Sequence, residues 1–276
     1  MGEEYNKIEK VGSEFYEWYK GMLLKERLLY GEMIELLLES VKPLGGYSKD
    51  TPYNEIALLT LATRLFNDAE GTKHLLLRGL PSQARIVVRD IIECTMLFRL
   101  FLRDSELAKR WLMESKEYHL RDVNAKLLEM SINPREYAFY GPLSHEGHSN
   151  LLASLSNVQE EEVEEGMLRT FHFGSSRTPE TIYFVQQGFI TLFFLLHISL
   201  IEPLAEFYSQ HSDTGSFTIW AQKVDNLFPK LEALVGEVNT KNVKKEAQVD
   251  EHIYKLVEKK MRLKEFKTRL SGSDKK

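Results

Sequence analysis

The stretch "FITLFFLLHISLIEPL", residues 189–204, places the heaviest demand on the fold. It is apolar on every side, so a helix made from it has no face that can be left to water. Other helices must enclose it. At 16 residues, with His197 and Glu202 inside it, the run is short and polar for a bilayer crossing. A buried central helix with no membrane span is therefore expected, kinked by Pro203.

Candidates to enclose it lie on both sides. Residues 3–40 space their apolar side chains by three and four, as in Leu24, Leu28 and Leu29, then Met33, Leu36 and Leu37. That spacing predicts a helix, broken near Gly12 or Gly21. "KPLGGYSKDTP" is a loop. Residues 53–78 read as a second helix, stopped by Gly79, and Pro81 opens a third over 82–103. A fourth starts at Asp104, whose side chain suits a cap, and runs through "SELAKRWLMESKEYHLRDVNAKLLEM". Two further helical patterns follow "SQHSDTGS". No segment shows a convincing set of alternating strands, and no internal repeat stands out. The expectation is an all-α fold: a single multi-helix bundle of six to eight helices over residues 1–270, with "SGSDKK" (271–276) as a disordered tail.

Charge is unevenly spread. Residues 241–276 hold 12 Lys/Arg against 6 Asp/Glu, while the whole chain is at −5. The basic C-terminal helix is expected to be a solvated face, with RNA or a protein partner as its functional reading. The acidic run "QEEEVEEG" reads as solvated surface. "EFYEWYKG" reads as core packing, with a homodimer contact as the alternative. The single cysteine, Cys94, excludes an intrachain disulfide and reads as a small buried hydrophobe. The N-terminus has no apolar core of the kind a signal peptide needs, so a cytoplasmic location is expected.

Two polar elements interrupt this picture. On the third helix, Arg85, Arg89 and Glu93 are four apart and share one face. They predict either an intrahelical ion pair or a charged cleft. Arg99 and Arg103 repeat the spacing and are expected to snorkel at the helix end. The second element is "YGPLSHEGHSN", residues 140–150. His145 and His148 are three apart, not the four of a zinc-protease motif, and a metal there needs further ligands. His119, His172 and His197 are the available histidines, none at a recognisable spacing. Ser144 and His148 are four apart and would stack if a helix begins at Pro142. No nucleophile elbow accompanies the serine. No phosphate-binding glycine loop, Cys-x-x-Cys or dinucleotide fingerprint is present, so no cofactor is expected, with a divalent metal as the minor alternative.

"GLPSQARIVVRDIIECTMLFRLFLRD" followed by "YGPLSHEGHS" resembles an uncharacterised, mostly bacterial all-helical family known as a domain of unknown function. Its pattern places an Ala and an Arg ahead of a Glu on one helix, then a Leu-Ser-x-x-x-His element about fifty residues on. Ala84 or Arg85 starts the match, Arg89 and Glu93 fit the charged pair, and Leu143, Ser144 and His148 fit the second element. The resemblance spans residues 55–210 and implies that the two polar elements face each other across the bundle. It brings no settled activity; stress response or defence would suit it. The leading expectation is a helical interaction or regulatory domain. The alternative is a metal-independent phosphodiesterase or ribonuclease-like enzyme, in which Arg89 binds an anion, His148 moves a proton and Glu93 orients one of them, with Ser144 alongside. A metal-binding helical protein using His145 and His148 is the third reading.

Overall fold

The computed structural model describes residues 2–42, 50–114, 117–140, 158–163, 166–171 and 179–237. The chain opens with α1 (Gly2–Met22) and α2 (Leu24–Val41). The break between them falls at Leu23, two residues past Gly21 and so near the second of the two glycines. Both glycines lie inside α1, facing open space. Leu23 leaves helical geometry (φ −99°, ψ 38°) and buries its side chain completely. Burial of a leucine outweighs the weak local preference of an exposed glycine. Arg27 Nη1 bridges the break by donating to the Lys20 carbonyl at 3.0 Å.

A helical hairpin follows, made of α3 (Tyr53–Leu77) and α4 (Pro81–Arg103). Its turn is the one the sequence predicts. Gly79 takes a left-handed conformation (φ 67°). The Leu80 N–H then reaches the Leu75 carbonyl at 3.0 Å, and the Gly79 N–H reaches Leu76 at 2.9 Å. This pair of bonds satisfies carbonyls that the helix end would orphan.

The expected fourth helix is two helices, α5 (Ser105–Met113) and α6 (Leu120–Glu129). Asp104 caps the first, accepting from the Leu107 N–H at 3.0 Å. The chain then turns because the buried Phe101 ring packs against both Trp111 (5.4 Å) and Tyr118 (6.2 Å). A straight helix, rising 1.5 Å per residue, would carry Tyr118 past that ring. Tyr118 Oη also donates to the Leu107 carbonyl at 3.2 Å. A helical turn at residues 137–140 follows α6.

Most of the apolar run belongs to α7, which starts at Pro179 and ends at Ser199. From Thr181 to Ser199 this helix is, by length and composition alone, long and apolar enough to cross a membrane, with 44% of its most apolar window buried in the protein. It packs on α4, α3 and α2. The kink expected at Pro203 is a π-helical turn, Leu200–Leu204, in which the Ala205 N–H donates to Leu200 five residues back. Pro203 has no N–H to offer the carbonyl four residues back, and the wider turn absorbs that lost bond without ending the helix. α8 (Ala205–His211) continues, and α9 occupies residues 214–237. Residues through Glu232 form one compact unit; the described part of a second unit, 233–237, is helical.

The fold is all-α, with one departure among the described residues. The acidic run read as plain surface pairs as β1 (Val158–Val163) with β2 (Gly166–Phe171), antiparallel, Glu160 opposite Arg169. Acidic residues are poor strand formers, so the run masks the β-forming "MLRTF" that follows it.

At the α4–α7 contact, Thr95 Oγ1 and Ser199 Oγ lie 2.7 Å apart, fully enclosed. Each hydroxyl is also placed to donate to its own helix, Thr95 to Ile91 at 2.9 Å and Ser199 to Leu195 at 2.8 Å. Across α3 and α7 the fit is closer still. A methyl at Gly188 would come within 2.4 Å of Leu76 Cδ2. Trp220 of α9 is buried and donates through Nε1 to the Leu36 carbonyl of α2 at 3.2 Å. Tyr19, from the aromatic stretch near the start, is fully buried, as the core-packing reading expects.

Candidate functional site

α4 carries the charged residues singled out in the sequence, and Arg89 and Glu93 pair along it. Arg89 Nε stands 3.7 Å from Glu93 Oε1, with the two side chains 29% and 31% exposed. This is an ion pair at a distance beyond a good hydrogen bond. Arg89 Nε is buried and finds no hydrogen-bond partner. Next to this pair, Arg64 of α3 reaches Asp68 at 3.7 Å on its own helix and Asp90 of α4 at 3.6 Å. Cys94 Sγ lies 3.9 Å from Asp68 Oδ2.

The electrostatics follow from this crowding. Burial raises the Glu93 carboxyl above the usual glutamate range, and Asp90 adds to the rise, while Arg89 and Arg64 oppose it. Burial raises Asp68 as well, against the pull of Arg64. The Cys94 thiol is pushed up to about 12, chiefly by burial. A thiol so hard to ionise is a poor nucleophile, which agrees with its reading as a small buried hydrophobe. The face thus holds three carboxylates and two guanidinium groups arranged in mutual pairs. A small cleft of ≈ 40 Å³ lies beyond it, lined by Ala84, Arg85, Val88, Gln187, Gly188 and Thr191. Ligand pockets run to several hundred Å³, so this cleft suits water rather than a substrate.

Two expectations for α4 need correction. Arg99 does not snorkel. Its Nε donates to Glu136 Oε1 at 2.8 Å, and the side chains are 6% and 0% exposed. Arg103 does not simply extend into water either; it grips Glu206 with two bonds of 2.5 and 2.6 Å. In both cases the partner is distant in sequence, so helical spacing gave no warning of it.

A second cluster centres on Glu70 of α3. Glu70 accepts from Tyr30 Oη at 2.8 Å and from Lys73 Nζ at 2.5 Å, with His74 Nε2 at 3.7 Å. Burial pushes the Glu70 carboxyl up, but the Lys73 and Tyr30 bonds outweigh it and hold the group below its usual range. The spacings Glu70–Lys73 and Glu70–His74 were visible as helix neighbours; Tyr30, forty residues away, was not.

Leu143, Ser144, His145, His148 and His172 lie outside the described residues, as do the basic segment 241–276 and the tail 271–276. Among the described residues no group of three or more His, Cys, Asp or Glu side chains is placed to hold a metal ion. Neither a curated protein nor a solved structure matches the chain. The family match is narrower than the resemblance over 55–210: it takes in the Arg89/Glu93 helix and stops before Leu143. Residues 55–139, about a third of the chain, match the model of a family of unknown function (DUF5677).

Proposed function

We propose that the protein is a helical interaction domain and that one of its partners is a second copy of the chain, met along α2. One observation carries this reading: α2 is apolar on two opposite faces. Leu29, Met33, Leu36 and Leu37 are buried in the core. Leu24, Leu28 and Leu38 point the other way and are 53%, 62% and 43% exposed. With Gly31 and Glu35 they fall on positions 24, 28, 31, 35 and 38, the alternating four-and-three spacing of a helix–helix seam. Gly31 has open space where a Cβ would stand, so a second backbone can come close there. Charge also favours a second copy. Glu39 and Glu32, beside the seam, are already engaged by Lys223 at 2.9 Å and by Lys230. Two copies would therefore meet less like-charge repulsion than the sequence of α2 suggests.

Sedimentation of the wild type against Leu28→Glu is the test. The wild type is expected to self-associate reversibly and the variant to sediment as monomer with an unchanged helical circular dichroism spectrum. A monomeric wild type, or a variant that associates equally well, overturns the proposal.

A phosphodiesterase using Arg89 and His148 is the second reading. It is favoured by the loose Arg89–Glu93 contact, which leaves the guanidinium partly available to an anion.

A further inference from the structure

His197 lies in the last turn of α7, 9% exposed, and its Nδ1 is buried with no hydrogen-bond partner. Its ring packs against Phe228 of α9 at 5.6 Å. The patch around it is apolar and partly open. Phe194 on α7 and Ile201 in the π-helical turn flank it, about one turn to either side, and Phe228 covers it from α9; all three are partly exposed.

A neutral imidazole tolerates this seat, because a lone pair at Nδ1 is a modest loss. An imidazolium does not. Whichever nitrogen carries the first proton, the doubly protonated ring has an N–H at Nδ1, and that donor would be buried without an acceptor. Among the described residues one charged group, Asp225 of α9, exerts a field on His197, and it favours the charged form. α2, α3 and α4 add no charged group to that field, and Lys230 of α9 is engaged with Glu32 of α2. Burial is the larger influence and holds the imidazole below its ordinary range. The α9 side of the contact is locally weak. Pro229 has no N–H for the Asp225 carbonyl, so the helix ladder is one bond short at this level.

We propose that His197 is an acid-sensitive latch: a proton on its ring loosens the 225–232 stretch of α9 from α7 and uncovers the patch around Phe194 and Ile201. The buried form of a group with lowered affinity for protons is favoured at high pH. Its contribution is complete above 6.5, the ordinary histidine value, and is lost as pH falls from there toward the lowered value. Trp220, anchored on Leu36, keeps the first half of α9 in place.

Hydrogen exchange of the full chain, corrected for the intrinsic pH dependence of amide exchange, tests the latch. On acidification from neutral through the histidine range, amides of 225–232 in the wild type should lose protection by about tenfold for each pKa unit of depression. Amides of 214–220 should keep theirs, and His197→Gln should abolish the pH response of 225–232. A wild type whose 225–232 amides do not respond, or a Gln variant that responds equally, overturns the proposal. Should His197→Gln fail to fold, NMR titration of the wild-type ring decides instead. Loss of the Phe228 ring contacts in step with His197 protonation supports the latch; an ordinary histidine titration with Phe228 unmoved refutes it.

Discussion

Arg89–Glu93 and Arg99–Glu136 are both arginine–glutamate pairs anchored on α4, ten residues apart. They differ in almost everything else. The first is local, about 30% exposed and 3.7 Å long; the second joins distant segments, excludes water and closes at 2.8 Å. One helix thus holds a pair that staples the fold and a pair that remains open to other partners. Residue type does not tell them apart. Depth and the origin of the partner do.

The sharpest way to break this comparison is to remove one partner of the inner pair. Glu136→Ala takes the carboxylate away from a buried guanidinium and should cost about 3–5 kcal/mol in urea denaturation. Replacing both, as Arg99→Met with Glu136→Leu, should recover most of that loss; a double variant as unstable as the single one would show that the pair is not the cause. The outer pair predicts a much smaller effect. Arg89→Ala should cost no more than about 1 kcal/mol, as expected for a partly exposed ion pair. The same variant, still folded, can be assayed on an RNA panel beside the wild type. Loss of a wild-type cleavage activity would favour the enzyme reading, and a cost like that of Glu136→Ala would erase the contrast.

The smallest expected effect is in pH dependence. Because burial raises Glu93 above its unfolded value, the folded state holds that proton more tightly. Its contribution to stability is therefore present below 4.5, the ordinary glutamate value, and is lost as pH rises through the raised folded value. Going down from neutral, wild-type stability should gain from this group, and Glu93→Gln should show a shallower rise, with Asp68 maintaining part of it. Equal slopes would show that Glu93 is as well solvated as a surface carboxylate.

Much of the scaffold was legible in the sequence for local reasons. Gly79 and Pro81 mark a turn by their own backbone chemistry, and the three- and four-residue spacing of leucines announces α2 and α3. Reading fell short where a distant group decided the outcome. The break near Gly21 settled at Leu23 because the core claimed its side chain. Phe101 folded the expected fourth helix in two by gathering Trp111 and Tyr118. Of the candidate site, helical spacing identified the Arg89–Glu93 pair correctly. It could not foresee Arg64 and Asp68 arriving from α3, and it assigned Arg99 to the surface because Glu136 lies 37 residues away.

The Thr95–Ser199 contact has a consequence of another kind. Two hydroxyl protons serve three acceptor positions: Ile91, Leu195 and the other hydroxyl. Only two of the three bonds can exist at once, so the protons have alternative arrangements that leave every heavy atom where it is. The contact between α4 and α7 is thus fixed in position while its polarity can reverse. A dipole that turns without moving the backbone lets the centre of the bundle respond to a changing electric field, such as one created by charge added or removed on the α3–α4 face.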